Sequence, residues 1–210
     1  MPLQNRVDPW GRLNSAPSKA ATLMGNRGIL HDQNNIIIRP WAHKRWVTCL
    51  LSFKNIKRPK PFSQGNYSEL FFLDEATAFA AGHRPCAYCQ RERHQLFKDA
   101  WLQANVSTER HASITMEEID KALHNQRAIR GGGKQLFDAQ VSELPLGTMF
   151  ELNEKAFLVW KSGYFPWTFD GYEDPVNIDR TMIVNVLTPI SIVRAFTNGF
   201  IPNAHSSANG

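Results

Sequence analysis

Three cysteines constrain this chain more than any other feature. Cys86 and Cys89 stand three residues apart in AFAAGHRPCAYCQRER (78–93), between a Gly-His-Arg-Pro turn and a basic helical run. The only other cysteine is Cys49, in RWVTCLLSF, 37 positions before Cys86. A C-x-x-C turn that opens a helix aims both sulfurs at one point, and backbone N–H groups stabilise the thiolates. A zinc site then needs further ligands from a separate element, at about 2.3 Å for sulfur and about 2.0–2.1 Å for imidazole nitrogen. A thioredoxin-like redox dithiol uses the same spacing, but it expects a strand feeding the motif directly. Here a helix feeds it. The bland alternative is a pair of inert thiols. The reading is Zn2+.

With 210 residues, 42% of them hydrophobic, the chain can bury a full core as one large domain or two small ones. The balance of 24 Lys and Arg against 19 Asp and Glu gives a formal charge of +5, compatible with a polyanionic partner but weak as a signal. The start, MPLQNRVDPWGRLN, has no apolar h-region, no stretch reaches bilayer-spanning length, and three cysteines fit no paired disulfide framework. A cytoplasmic location is expected.

Residues 1–25 are polar and proline-punctuated and read as an irregular arm. RGILH (27–31), NIIIR (35–39), RWVTCLLSF (45–53) and ELFF (69–72) read as short strands. Asp74 caps a helix over EATAFAA that Gly82 ends. QRERHQLFKDAWLQAN is a helix with Leu96, Phe97, Ala100, Trp101 and Ala104 on its apolar stripe. Thr115 and Glu118 have the spacing of a capping box for the next helix, over TMEEIDKALHNQRAI. After RGGGK (130–134) the pattern returns to strands: a hairpin around Glu154, a strand MIVNVL, then a helix ISIVRAFTN with Thr188 and Pro189 as N-cap and first turn. The expected fold is α+β. Residues 1–130 would form a zinc-binding portion with an N-terminal arm and helices. Residues 131–210 would form a small β-rich portion with a C-terminal helix.

The stretch LFFLDEATAFAAGHRPCAYCQRE, Leu70 to Glu92, resembles the second half of the zinc domain of Ada-type DNA methylphosphotriester repair proteins. There a short Phe-Phe strand, an Ala-rich helix and a Gly-x-Arg-Pro-Cys-x-x-Cys turn recur in the same order. The resemblance implies that Cys86 and Cys89 ligate zinc. It reaches no further than about two dozen residues, and the C-terminal half carries none. The chain also departs from that family, whose other two ligands are an upstream Cys-x-x-x-Cys with the first thiolate accepting the methyl group. Here only Cys49 stands upstream.

A tetrahedral site is then most simply Cys49, Cys86, Cys89 and one histidine. His94 lies five residues past Cys89 on the helix and points roughly 140° away. His83 would force three ligands out of one seven-residue turn. His43 sits in a loop before the Cys49 strand. His31 ends GILH, which can pair beside WVTCLL, and is the favoured fourth ligand. A site of three cysteines and one histidine is closed and structural. With one thiolate fewer than a four-cysteine site, it also leaves less charge on each sulfur for methyl transfer.

A zinc deaminase needs an upstream H-x-E, and His31 and His43 both fail that pattern. A nucleic-acid surface is expected from Lys57, Arg58, Arg84, Arg91 and Arg93, with Trp41, Trp46 and Tyr88 for stacking. MGNRG (24–28) reads first as a plain turn, although its backbone and Arg27 can hold an anion. RGGGKQ lacks the P-loop order and reads as a linker. PWTFDGYEDP offers Trp167, Asp170, Tyr172 and Asp174 as a pocket lining or as cover for a core edge. The functional expectation is a protein that binds DNA or another nucleic acid, with a structural zinc. The alternatives are an enzyme (a zinc-thiolate methyl acceptor in DNA repair, or a hydrolase working from the C-terminal loops) and a zinc-stabilised interaction module.

Overall fold

The computed structural model describes residues 2–56, 60–161 and 163–209. The fold is α+β, with two six-stranded sheets. The first contains β1 (Arg6–Val7), β2 (Leu13–Asn14), β3 (Leu23–Asn26), β4 (Val47–Leu50), β5 (Leu70–Phe72) and β6 (Arg84–Pro85), in the order β2-β1-β5-β3-β4-β6. Three helices accompany it: α1 (Glu75–Ala80), α2 (Arg91–Asn105) and α3 (Met116–Arg127). The second contains β7 (Phe137–Gln140), β8 (Met149–Leu152), β9 (Lys155–Trp160), β10 (Gly163–Thr168), β11 (Gly171–Tyr172) and β12 (Ile183–Val186), in the order β11-β10-β9-β8-β12-β7. Helix α4 (Ile190–Thr197) follows.

Helix α1 is where the two sheets meet. It is apolar on nearly every side, and all six of its residues are buried. Ala78 packs with Phe72 and Leu70 of the first sheet, and Ala76 and Ala80 pack with Met149, Leu158 and Phe165 of the second. Phe79 joins Phe97 of α2 and Ile192, Phe196 and Phe200 from α4 and beyond. Small residues let three layers approach one short helix, so the glycine run at 131–133 joins portions that share their cores.

Asp74 fixes the start of α1. Its carboxylate accepts from Thr77 N at 2.8 Å and Thr77 Oγ1 at 2.7 Å, as a capping residue should. It also accepts from Tyr172 Oη and His205 N, both at 2.8 Å, which ties the C-terminal residues to this cap. Gly82 ends the turn at φ +85°, and a Cβ there would lie 2.3 Å from Arg127 Cδ. No other residue fits under Arg127.

The capping box at Thr115 and Glu118 is formed, and the β8–β9 hairpin turns at Asn153 and Glu154, both with positive φ. Other expectations are corrected. The N-terminal arm is not irregular: it supplies β1, β2 and β3, because its short apolar runs pair with β5 and β4. NIIIR forms no strand beyond an isolated His31–Ile37 bridge, and Ile36 and Ile38 are exposed. On α2 the buried set is His94, Phe97, Trp101 and Leu102, while Leu96 faces solvent. Thr188 does not cap α4. Its hydroxyl accepts from Met149 N at 2.9 Å, and Pro189 takes the cap position.

Candidate metal centre

Strand β4 carries Cys49, with its Cα paired to Met24 of β3. On its other side β6 runs parallel, matching Val47 with Arg84 and Thr48 with Pro85. The ladder continues as Cys86 N donates to Thr48 O at 2.9 Å, which brings Cys86 alongside Cys49. The C-x-x-C turn closes where Gln90 N donates to Cys86 O at 3.1 Å, and α2 begins one residue later. The Gln90 side chain makes no helix cap. Its amide donates to Thr48 O at 2.9 Å and Thr48 Oγ1 at 3.2 Å, fastening the start of α2 to β4. No motif announces Gln90.

The three sulfurs lie within 4.8 Å of one another, and all three residues are half-buried. Thiolates held about 2.3 Å from a tetrahedral zinc stand roughly 3.8 Å apart, so the donor set fits the ion with a small contraction. The electrostatics already favour an ionised sulfur. Cys86 is held down to about 4, first by the Cys49 S–H it accepts and then by the N–H groups of Cys89 and Tyr88. Cys49 is raised correspondingly, by that same hydrogen bond and by burial, and Cys89 is raised by burial.

Among the described residues no histidine or carboxylate joins the three thiols. His31, the expected fourth ligand, is elsewhere. It shares a 2.6 Å hydrogen bond with Ser68 Oγ and stacks on Phe62 at 4.6 Å, because its segment bridges to Ile37 instead of pairing beside β4. His83 is fully buried and packs against Phe72 and Trp46. His94 donates through Nδ1 to Pro85 O at 3.0 Å. His43 and His94 line a cavity of about 900 Å3 that also takes in Cys86 and Tyr88.

The expected nucleic-acid residues divide. Lys57 and Arg58 lie outside the described residues. Arg84 is 3% exposed and forms two bonds to Asp120 of α3, Nε to Oδ1 at 2.8 Å and Nη2 to Oδ2 at 2.7 Å. Arg93 grips both oxygens of buried Glu75, donates to Ile201 O at 2.6 Å and lies 3.9 Å from the Phe200 ring centroid. Both arginines are paired with carboxylates of this chain. Arg91 is exposed.

Compared with known proteins, the chain matches no family model, no curated protein and no solved structure. Function is therefore read from the site itself. The aromatic loop also resolves: Trp167 Nε1 donates to Thr77 Oγ1 at 3.0 Å and Tyr172 to Asp74, so both brace α1, while Asp170 sits exposed in the β10–β11 turn. Among the described residues no helix is long and apolar enough to cross a membrane.

Proposed function

We propose that this chain is a zinc-thiolate protein in which Cys49, Cys86 and Cys89 bind one Zn2+ and the fourth position is filled from outside the chain. The observation that carries this is the convergence of three sulfurs from β4 and the C-x-x-C turn within 4.8 Å, with no fourth donor beside them among the described residues. Zinc sites with four protein ligands are closed, whereas three protein ligands leave a position for water or substrate. The ion would draw the three sulfurs together and act as a Lewis acid toward the incoming ligand. The strand, helix and turn from Leu70 to Glu92 keep the order of the Ada-type domain, which supports a reading in the same chemical class, alkyl acceptance by a zinc-bound thiolate included. The test is metal content: full-length protein purified without chelator carries one zinc per chain, and Cys49→Ser loses it. Retention of full zinc by that variant overturns the reading.

A second reading, contact with DNA, draws support from the surface beside the sulfurs. Tyr88 is 64% exposed and lies near Lys54, whose ammonium is 5.2 Å from its ring centroid. Lys44 and Arg45 line the same cavity as Cys86, and Arg91 is exposed on α2. Replacing Lys44, Arg45 and Arg91 together would lower the log–log salt slope of DNA binding by about 3. Absence of DNA binding at low salt eliminates this second reading and leaves the zinc reading intact.

A further inference from the structure

Two motifs that read as a plain turn and a linker, Met24-Gly-Asn-Arg-Gly28 and Arg130-Gly-Gly-Gly-Lys134, meet at one cavity of about 520 Å3. That volume lies within the range of small-molecule sites. Its charge is one-sided: Arg12, Arg27, Arg39, Arg127 and Lys134 line it, against the single carboxylate of Glu151. Glu151 is already engaged, accepting from Trp10 Nε1 at 2.5 Å.

Three of these cations are held inside by neutral acceptors. Arg27 and Arg127 are each 2% exposed, with guanidinium carbons 4.1 and 4.2 Å from the Trp46 ring centroid. Arg27 donates to Gly11 O at 2.8 Å and His83 Nε2 at 3.3 Å, and Arg127 donates to Gly82 O and Lys44 O. Lys134 Nζ donates to Ala80 O. Arg27 Nη2 and Arg127 Nε are buried with no hydrogen-bond partner among the described residues. The acids facing this group are Asp8, whose carboxylate is taken by Arg12 N and Asn14 Nδ2, and Asp120 beside Arg127, whose carboxylate is held by Arg84. Burying three cations side by side with no carboxylate of the described residues bonded to any of them is costly. The strain registers in the side chains themselves: burial lowers Arg27 to about 9, and burial with Arg27 and Arg127 lowers Lys134 to about 7. Arg127 is pushed down by burial as well.

We infer that the cavity binds a small phosphate monoester carrying a flat ring, of mononucleotide size, with Arg27, Arg127 and Lys134 on the phosphate and a cavity tryptophan against the ring. The unpartnered Arg27 Nη2 and Arg127 Nε, with the Lys134 ammonium, offer donors from three cations, which suits a dianion with several oxygens better than a single carboxylate. Gly131, Gly132 and Gly133 line the cavity with positive φ, and the Gly132 N–H is spent on Ile129 O at 3.0 Å. Of the two other cavity tryptophans, Trp10 lies under Arg12 and bonds Glu151, whereas Trp41, half-buried and edge-on to His124 at 5.3 Å, has no cation over its ring among the described residues. Trp46 immediately precedes β4, which carries Cys49, but no cysteine lines this cavity, so the inference stands apart from the zinc reading.

Calorimetry on zinc-loaded, full-length protein at low ionic strength tests it, with AMP, inorganic sulfate and adenosine as probes. AMP and sulfate bind, adenosine binds at least tenfold more weakly than AMP, and Lys134→Met or Arg127→Met weakens both anions by about ten- to a hundredfold. Trp41→Ala weakens AMP and leaves sulfate unchanged. Wild-type protein supplies a check that needs no variant to fold. Sulfate keeps its charge between pH 6 and 9, so its affinity falls as pH rises through about 7 and Lys134 loses its proton. Failure of AMP and sulfate to bind at millimolar concentration, a flat sulfate profile, or wild-type affinity in a folded Lys134→Met variant overturns the inference.

Discussion

Removing the carboxylate of Asp120 tests how the cysteine turn is held. Arg84 and Asp120 are joined by two charge-assisted hydrogen bonds at 2.8 and 2.7 Å, and their side chains are 4% and 6% exposed. In Asp120→Ala the guanidinium stays buried without a counterion, a loss of about 3–5 kcal/mol when one partner of a buried pair is deleted. Ala is the better helix former on α3 and returns about 0.5 kcal/mol. The net loss is about 2.5–4.5 kcal/mol, which for a chain of this size lowers Tm by roughly 5–18 °C. Urea melts read at equilibrium measure it. The double variant Arg84→Met with Asp120→Leu recovers most of the loss, since an apolar pair of similar volume carries no desolvation cost. Because Arg84 lies in β6, two residues before Cys86, the single variant also binds zinc more weakly. A loss below about 1 kcal/mol would show that water screens the pair, and the reasoning would fail.

Asp74→Ala removes the cap of α1 and strands Tyr172 Oη and His205 N, so it costs about 4 kcal/mol in the same melts; a loss near that of an ordinary surface cap contradicts the network. Acid also weakens the fold. Burial and the neighbouring Arg27 and Arg127 hold His83 well below the ordinary histidine range, and burial with Arg127 lowers His124 to about 4. The unfolded chain therefore binds more protons than the folded one below about pH 6.5, and stability falls as pH drops from there toward 4. His124→Phe flattens part of that slope, and a urea midpoint that holds steady across the window contradicts it. His31→Ala leaves zinc content unchanged, since its imidazole bonds Ser68; zinc loss in this variant would return it to the ligand set.

What the chain made legible was local. The Asp74 cap, the Thr115–Glu118 box, the turn at Glu154 and the C-x-x-C spacing each act within a few residues, so composition and spacing reveal them. The pairing of β1 and β3 with β5, remote in sequence, leaves no such trace in a polar arm with two-residue strands. The pairing of the basic residues leaves no mark in the sequence, for a physical reason. Arginine is ordinarily exposed, and only the fold shows Arg84 and Arg93 on Asp120 and Glu75, or Arg27 and Arg127 stacked on Trp46. His31 would stand beside Cys49 only if its segment paired with β4, and it bridges to Ile37 instead.

The ligand count at the ion decides the central claim. X-ray absorption at the zinc edge of the full-length protein reports how many sulfurs the metal carries and at what distance. Convergence of Cys49, Cys86 and Cys89 predicts three sulfurs at about 2.3 Å and one light atom, with the light atom not an imidazole from this chain. Two sulfurs with two nitrogens, or a zinc bound by light atoms alone, would contradict the account.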